Sequence, residues 1–296
     1  MAGRGCRYNC SHCSVNLMYG GQNYRLRSPE NVIKEMLHLK ETYGVKGIRF
    51  NDSTFTDNRN WTVAFCKEMI KQKVKFIWTC DTRVDRVDLE LLKLMRLSGC
   101  IQIDYGLESG SPRILKSLKK NILRKKVLNG VEMTRRAGIR VGASFMIGNV
   151  NEEIEDLEQT FNLAKAVKPD YTIFFFAIPY PGTEIRQQAL KKNLLRNEPT
   201  YGGDWSIRAS VYPMIVDKLS ANTLQAYRSK FQNYFFIKNY LRLENLVIYL
   251  QLFWILLKFP STTWQGIKMT LKDKRLDSFI EYVLETYRKS LYDRFY

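Results

Sequence analysis

The sequence predicts an α/β protein built on a partial or full β/α barrel, and three observations support this fold class. A short run of strand-forming residues followed by a helical pattern repeats five times before about residue 190. Strands that alternate with helices in this way form parallel β/α units. The chain has 296 residues, of which 45% are hydrophobic, so it is long enough to bury a large core.

Capping residues mark the ends of the helices. Ser28, Pro29 and Glu30 form an N-cap, a first-turn proline and an acidic first turn, and Gly44 stops the helix that follows. Asp88 caps a later helix. Apolar and β-branched runs predict strands over residues 45–50, 74–79, 101–105, 139–147 and 171–178. Helical spacing predicts helices over residues 28–43, 61–71, 88–97, 112–118, 123–136 and 154–167, and another from about residue 183.

The alternation stops after about residue 190. We therefore expect a core domain over residues 1–193 and a mainly helical, aromatic-rich C-terminal extension over residues 194–296. The longest uncharged stretch, residues 245–257, is shorter than the roughly 20 residues needed to span a bilayer. We favour a buried core helix for this stretch. The alternative is a helix that lies on a membrane surface, with Trp254 in the interface.

The formal net charge is +18, from 47 Lys and Arg against 29 Asp and Glu. Such an excess attracts nucleic acid, anionic lipid or an anionic substrate. The densest basic run comprises Lys116, Lys119, Lys120, Arg124, Lys125 and Lys126. We interpret this run as a solvated helix face rather than as a binding site.

Cys6, Cys10 and Cys13 lie within eight residues in a C-x3-C-x2-C spacing. Nothing resembles a secretory signal, so we expect a reducing cytoplasm and a metal site rather than disulfides. Three thiolates can bind three irons of a 4Fe–4S cubane and leave the fourth iron open. The alternative is zinc with His12 as the fourth ligand. However, His12 and Cys13 are adjacent, which is awkward for a tetrahedral ion, and the usual C-x2-C halves are missing.

Polar residues follow the predicted strands one after another. They are Asp52, Asp81, Arg83, Glu108, Ser109, Gly148, Asn149 and Tyr180. In β/α barrels the carboxyl ends of the strands carry the chemistry, so these residues predict a site at that edge.

Several segments resemble the radical SAM superfamily. The match to Gly-x-Glu-Ser-Gly at residues 106–110 is close, and residues 48–55, 78–85, 145–148 and 179–184 follow in the family's order. The chain is most similar to the branch that usually carries an N-terminal cobalamin-binding domain, which includes methyltransferases, cyclases and hopanoid-type enzymes. This resemblance implies a partial (β/α)6-type TIM barrel.

The resemblance also implies roles for individual residues. Cys6, Cys10 and Cys13 would ligate the cluster, whose open iron would chelate S-adenosylmethionine. His12 would pack beside the adenine, Asp52 and Glu108 would accept from the ammonium or ribose hydroxyls, and Arg83 would reach the carboxylate. Ser144 and Ile147 would line the ribose and adenine. One electron from the reduced cluster would then cleave the cofactor to methionine and a 5′-deoxyadenosyl radical.

The sequence departs from the family pattern in three places. Relatives place a first barrel strand and a cobalamin domain before the cysteine loop, and we expect these to be either lost by truncation or supplied by another chain. Residues 148–153 read Gly-Asn-Val-Asn-Glu-Glu where relatives have Pro-Gly-Glu, so we expect the preformed turn to be lost. No cysteine follows Cys100, so we expect no C-terminal auxiliary cluster. Cys66, Cys80 and Cys100 fall in helix and strand patterns and are expected to be buried small hydrophobes.

The functional prediction is a radical SAM enzyme that acts on a small or lipid-like substrate by methyl transfer or cyclisation. Its expected partners are an electron donor such as a flavodoxin or ferredoxin, and cobalamin from a missing domain or a separate chain. We expect a cytoplasmic protein that can contact a membrane surface. One alternative is RNA modification, which the charge would suit but the helical C-terminal region does not favour. The other is an inactive cluster-binding remnant.

Overall fold

The computed structural model describes residues 1–196 and 214–240, together with residues 264, 267 and 268. The chain divides into two compact units, Met1–Leu224 and Gln225–Tyr296. The predicted boundary after residue 193 stays a prediction, and residues 245–257 lie outside the described residues. Among the described residues, none of the helices combines the length and hydropathy needed to cross a bilayer.

The strands are β1 Gly3–Arg4, β2 Arg25–Leu26, β3 Gly47–Phe50, β4 Ile77–Thr82, β5 Cys100–Glu108, β6 Arg140–Ile147 and β7 Tyr171–Phe176. Within the described residues, the α-helices are α1 Val15–Met18, α2 Pro29–Tyr43, α3 Arg59–Lys71, α4 Leu89–Leu97, α5 Pro112–Ser117, α6 Arg124–Arg136, α7 Ile154–Val167, α8 Glu184–Lys191 and α9 Ala221–Tyr240, and a 3-10 turn covers Val84–Arg86.

Strands β3 to β7 form one parallel sheet in chain order, curled into a half-barrel. Strands β1 and β2 form a separate antiparallel ribbon. The helices that connect the parallel strands pack in the same order as the strands: α2 on α3, α3 on α4, α4 on α6 and α6 on α7. The expected partial β/α barrel is therefore confirmed.

One face of the sheet packs on this helix layer. Tyr105 Oη lies 2.7 Å from Thr134 Oγ1 on α6, so the row of Tyr105, with its register neighbours Thr82 and Ala143, faces the helices. An aromatic cluster fills this layer, with ring centroids between 4.9 and 5.8 Å apart. Its members are Phe50, Phe55, Trp61, Phe65 and Trp78.

The opposite, open face of the sheet is polar. Arg49 Nη2 lies 2.8 Å from Asp81 Oδ1, and its Nη1 lies 3.0 Å from Asp104 Oδ2. Gln102 Nε2 donates to Asp104 Oδ1 at 2.9 Å. Gly142 is the next residue in this row, and a Cβ there would stand 1.7 Å from Asp104 Oδ1. Glycine on β6 therefore makes room for the network.

The predicted strands and helices between residues 28 and 191 are confirmed within a few residues. Ser28 Oγ accepts from the Asn31 N–H at 3.2 Å, and Gly44 ends α2 with a left-handed φ of 65°. Asp88 accepts from the Leu91 N–H at 2.9 Å. The β1–β2 ribbon and α1 were not predicted, because elements this short carry no periodicity.

Candidate active site at the carboxyl edge of the sheet

The cysteine loop, residues 6–13, is tied to the ends of later elements on one side. The Ser11 N–H donates to Leu118 O at 3.1 Å, and Ser11 Oγ donates to Ser117 O at 3.0 Å. The Ile185 N–H in α8 donates to Ser11 O at 3.0 Å. These bonds hold the loop against the connections that follow β5 and β7.

Tyr8 ties the other side of the loop to the ends of β3 and β4. Its hydroxyl donates to Asp57 Oδ1 at 2.9 Å, while Arg7 Nε lies 3.2 Å from Asp57 Oδ2. The guanidinium of Arg83, directly after β4, lies 4.0 Å from the centroid of the Tyr8 ring. The loop therefore lies along the carboxyl edge of the sheet, where the polar strand-end residues were expected to converge.

The surroundings of the loop thiols change their pKa values. Burial raises the pKa of the Cys10 and Cys13 thiols, and each also responds to the charge of Cys6. The positive charges of Lys120 and Arg83 oppose this rise at Cys10 but do not cancel it. A metal that takes these sulfurs as thiolates would displace their protons.

The donor set, three thiols on one short loop, fits a cubane cluster. Over residues 1–196 and 214–240, no three Cys, His, Asp or Glu side chains converge closely enough to hold one metal ion. In a cubane each thiolate binds a separate iron, so the ligands need not converge on one point. His12, the fourth ligand that zinc would need, is turned toward Glu108, with Nε2 4.0 Å from Glu108 Oε1.

Glu108 and Lys120 form a buried ion pair beside the thiols. Glu108 ends β5 after a register shift, with a left-handed φ of 62° that turns its side chain. Its Oε1 accepts from Lys120 Nζ at 2.8 Å, and both side chains are 8% exposed. Burial alone would raise the pKa of Glu108, but Lys120, His12 and Arg83 together hold it below its ordinary value. The site therefore contains a carboxylate at neutral pH.

Gly106 is the residue that leaves room for this pair. A Cβ at residue 106 would stand 2.7 Å from Glu108 Oε1 and 3.2 Å from Lys120 Nζ. Gly110 is confined as well, since a Cβ there would lie 2.2 Å from Gln159 O in α7. A side chain would therefore clash at both glycines of the Gly-x-Glu-Ser-Gly segment. At Gly106 it would clash with the site, and at Gly110 with the packing against α7.

His12 carries an unsatisfied polar atom. Its Nδ1 is buried, and in the described part of the chain it has no hydrogen-bond partner. Burial lowers the pKa of the imidazole, with Lys120 lowering it further and Glu108 opposing, so the ring is neutral at pH 7. A buried ring nitrogen without a partner fits a loop that receives a polar cofactor.

Arg83 lies in the site but already has partners. Its Nε and Nη2 lie 2.9 and 3.0 Å from the two carboxylate oxygens of Asp85, and Nη2 also donates to Lys120 O at 3.2 Å. Asp52 is engaged elsewhere: it accepts from the N–H groups of Ala2, at 3.1 Å, and Gly3. Asp52 thus holds β1 at the end of β3, and its contact with a cofactor stays a prediction.

The two predicted residues of β6 lie on opposite faces. Ser144 is beside Gly106 in the register and belongs to the open-face row. Ile147 is buried on the helix-facing row with Ala143, and its carbonyl accepts from the Ala177 N–H at 2.8 Å. Ser144 can therefore reach the open face with its side chain, whereas Ile147 can contribute only backbone.

The turn expected to be lost after β6 is present. Asn151 takes a left-handed φ of 62° in this turn. The carboxylate of Glu152 accepts from the N–H groups of Gly148 and Asn149 and closes the loop. The expectation failed because asparagine tolerates the left-handed region that the Pro-Gly pair usually supplies.

Lys120 is the site residue that sequence reasoning missed. It was placed with a solvated basic face, and Lys116, Arg124, Lys125 and Lys126 of that run are indeed exposed. Lys120, however, follows α5 in a turn and its ammonium is buried against Glu108. The available signal was its position close behind the Gly-x-Glu-Ser-Gly segment, which helical periodicity does not reveal.

A half-barrel that carries a three-thiol loop over its carboxyl edge defines a metallocofactor-binding β/α protein. The sequence profile of the radical SAM superfamily matches residues 2–164, and the chain belongs to this superfamily. The expected family is thereby confirmed. The superfamily implies a 4Fe–4S cluster and S-adenosylmethionine as cofactors.

Two curated relatives show how much of a longer protein this chain covers. An uncharacterized methyltransferase of Pyrococcus horikoshii is 36% identical over 195 residues, which cover 66% of this chain and 42% of the relative. The anaerobic magnesium-protoporphyrin IX monomethyl ester cyclase of Cereibacter sphaeroides is 33% identical over 189 residues, 62% of this chain and 31% of the cyclase. The chain thus spans less than half the length of either relative.

Two solved structures share the fold. The radical S-adenosylmethionine methyltransferase TsrM of Kitasatospora setae, with cobalamin and a [4Fe–4S] cluster, gives a TM-score of 0.58 at 20% identity over 67% of this chain and 37% of its own. The cobalamin-dependent enzyme OxsB gives a TM-score of 0.60 at 14% identity over 95% of this chain and 46% of its own.

Proposed function

We propose that the chain is the cluster- and S-adenosylmethionine-binding part of a radical SAM enzyme that modifies a small or lipid-like molecule by methyl transfer or cyclisation. The observation that carries this proposal is the three-thiol loop fixed beside the buried Glu108–Lys120 pair. Methyltransferases and a cyclase among the relatives support the reaction classes.

Cys6, Cys10 and Cys13 would hold the cluster. The cluster, once bound and reduced, supplies the electron for reductive cleavage of the cofactor. The protein's part is to keep this loop in place through Ser11 and Tyr8 and to shield it from water. Lys120 and Arg83 place positive charge next to Cys10, which favours thiolates and partly offsets the charge of the bound cluster.

The buried polar groups match an amino acid cofactor. Glu108, held as a carboxylate, would accept hydrogen bonds from the ammonium group or the ribose hydroxyls of S-adenosylmethionine, since these donors need an acceptor. Lys120 and Arg83 are the cations that the carboxylate of S-adenosylmethionine would contact. The neutral ring of His12 would pack beside the adenine, while Ser144 would face the ribose.

The open face of the sheet would receive the substrate. Arg49, Asp81 and Asp104 form a charged network there, in which the Arg49 side chain is half-exposed and Asp104 is mostly buried. Burial and the neighbouring Asp104 raise the pKa of Asp81 to about 6, although Arg49 opposes the shift. A site with two carboxylates and one guanidinium favours a substrate that carries hydrogen-bond donors.

The partners we propose follow from this chemistry. An electron carrier such as a flavodoxin or ferredoxin would reduce the cluster, and cobalamin would come from another domain or a separate chain. The expected setting is the cytoplasm, where thiols stay reduced, with contact to a membrane surface if the substrate is lipid-like.

Anaerobic reconstitution with iron and sulfide, followed by dithionite and S-adenosylmethionine, tests the proposal. We expect about four irons and four sulfides per chain, as a cubane requires, and formation of 5′-deoxyadenosine. Assembly of a cluster without 5′-deoxyadenosine would make the chain a cluster-binding remnant. Tetrahedral zinc without sulfide would overturn the assignment altogether.

RNA modification is the second candidate, because a tRNA-2-methylthio-N(6)-dimethylallyladenosine synthase of Protochlamydia amoebophila is also similar, at 22% identity over 222 residues. Retention of the chain on RNA over a salt series separates the two. Steep salt dependence would support RNA, and no retention at low salt would remove it.

A further inference from the structure

Tyr8 lies between the first two cysteines of the loop and is fixed at both its side chain and its backbone. Its hydroxyl donates to Asp57 Oδ1 at 2.9 Å, in the connection between β3 and α3. Its carbonyl oxygen accepts from Asn16 Nδ2 on α1 at 2.8 Å. Since the ring is held at its far end and at its root, it has a defined position within the thiol loop.

The guanidinium of Arg83 packs over the face of this ring. Its Cζ lies 4.0 Å from the ring centroid, well inside the roughly 6 Å limit of a cation–π contact. Arg86 also approaches the ring, at 5.3 Å, but its side chain is exposed, whereas that of Arg83 is only 9% exposed. Such contacts strengthen when the cation is shielded from water, so Arg83 is the stronger partner of the ring.

The hydrogen bonds of Arg83 lead to other parts of the fold. Asp85, two residues further along, accepts from Nε and Nη2, and Lys120 O also accepts from Nη2. These bonds fix the guanidinium relative to the turns that follow β4 and α5. Over the part of the chain that the structure describes, Nη1 has no hydrogen-bond partner. The Tyr8 ring adds the contact that relates this free donor to the loop that carries the thiols.

We propose that Tyr8 is a positioning residue whose ring holds the Arg83 guanidinium at the cysteine loop, with Nη1 left to bond the carboxylate of S-adenosylmethionine. This inference rests on the proposed function, in which Arg83 contacts that carboxylate. The donors of a guanidinium lie in its plane, so a ring packed on its face uses none of them. The ring also keeps water from that face, and a charged hydrogen bond is stronger where water is excluded.

The affinity of the reconstituted full chain for S-adenosylmethionine tests the proposal. The dissociation constant is measured by equilibrium dialysis with the cluster oxidised, because no cleavage then takes place. Tyr8→Leu should raise it roughly fivefold to tenfold, as loss of a shielded cation–π contact of about 1 kcal/mol or more implies. Tyr8→Phe keeps the ring and loses only the hydroxyl, so it should bind within about twofold of the wild type.

A double-mutant cycle shows whether Tyr8 acts through Arg83. Arg83→Met should weaken binding by itself, and Tyr8→Leu added to it should cause no further rise, because no guanidinium remains to be positioned. Arg86→Met is the matched control, since it removes an exposed arginine over the same ring and should leave the dissociation constant unchanged. Iron and sulfide content should equal that of the wild type in every variant, and melting temperatures show that each one is folded.

Contrary results separate the alternatives. An unchanged dissociation constant in Tyr8→Leu would overturn the proposal, and equal weakening in Tyr8→Phe would assign the effect to the Asp57 bond instead of the ring. Loss of iron in Tyr8→Leu, or a further rise in the Arg83→Met background, would mean that Tyr8 shapes the loop and does not act through Arg83. If the wild type binds S-adenosylmethionine but forms no 5′-deoxyadenosine on reduction, the proposed function fails, while the dissociation constants still decide the role of Tyr8.

Discussion

The cysteine loop and the helix-facing layer of the sheet each contain three cysteines, and the two sets have opposite surroundings. Cys6, Cys10 and Cys13 are half-buried in the loop, and Cys10 has Lys120 and Arg83 as neighbours. Cys66, Cys80 and Cys100 are fully buried, as expected from the sequence.

The difference shows that surroundings decide what a thiol can do. Burial raises the pKa of Cys66 to about 12. Burial and the nearby Cys100, Asp81 and Asp104 raise that of Cys80 as well. Full burial makes this set inert apolar side chains. Substitutions in the loop should therefore change cofactor binding, and substitutions in the layer should change stability.

The largest effect is expected from the loop. Cys10→Ser should abolish the cluster, because removal of one of three thiolates leaves two irons without a protein ligand. Iron and sulfide content after reconstitution measures this. Cys66→Ala is the matched control in the layer: it should keep the full iron content and lose about 1 kcal/mol of unfolding free energy. Equal iron loss in both variants would contradict the division between the two regions.

The second largest effect is a loss of stability in the helix-facing layer of the sheet. Phe65 is fully buried and its ring contacts Phe50, Phe55, Trp61 and Trp78. Phe65→Ala should cost about 3–5 kcal/mol in urea denaturation, because it leaves a cavity among rings that cannot collapse into it. The folded fraction should still assemble the cluster. A variant that unfolds normally but loses iron would show that the layer also shapes the loop.

The secondary structure was predictable because it is encoded locally. Helix ends are marked by capping residues such as Ser28, Gly44 and Asp88, and short apolar runs predict the strands. The thiol spacing is equally local. The site around it was less predictable. The left-handed φ of Glu108 and the burial of Lys120 arise from the curled sheet and a turn after α5, which no pattern within one segment specifies.

Substitutions in the Glu108–Lys120 pair should change both cofactor binding and stability. Lys120→Met should cost about 3–4 kcal/mol, because it leaves a buried carboxylate with only His12 and Arg83 nearby. The double variant Glu108→Gln with Lys120→Met removes both charges and should recover most of the stability. Its affinity for S-adenosylmethionine should not recover: the dissociation constant, measured by equilibrium dialysis, should be at least tenfold higher than that of the wild type.

Lys119→Met is the matched control for this pair. Lys119 is the adjacent residue, half-exposed, and lies 2.6 Å from Glu184. An exposed pair contributes roughly 0–1 kcal/mol, so this variant should change neither property much. If the double variant binds the cofactor like the wild type, the pair has a structural role alone.

The smallest effect concerns a second buried carboxyl, that of Glu152. Burial raises the pKa of Glu152 from 4.5 to about 7, although three hydrogen bonds from Gly148 and Asn149 oppose the shift. The folded state thus binds the proton more tightly than the unfolded chain. The stability this provides is complete below pH about 4.5 and is lost as pH rises through about 7. Relative to Glu152→Gln, the wild type should lose about 3 kcal/mol over that interval. Urea denaturation at closely spaced pH values measures the difference. For Glu108, whose pKa is lowered, the corresponding difference should change only in acid, and a flat curve for Glu152 would mean that this carboxyl is ionised at no cost.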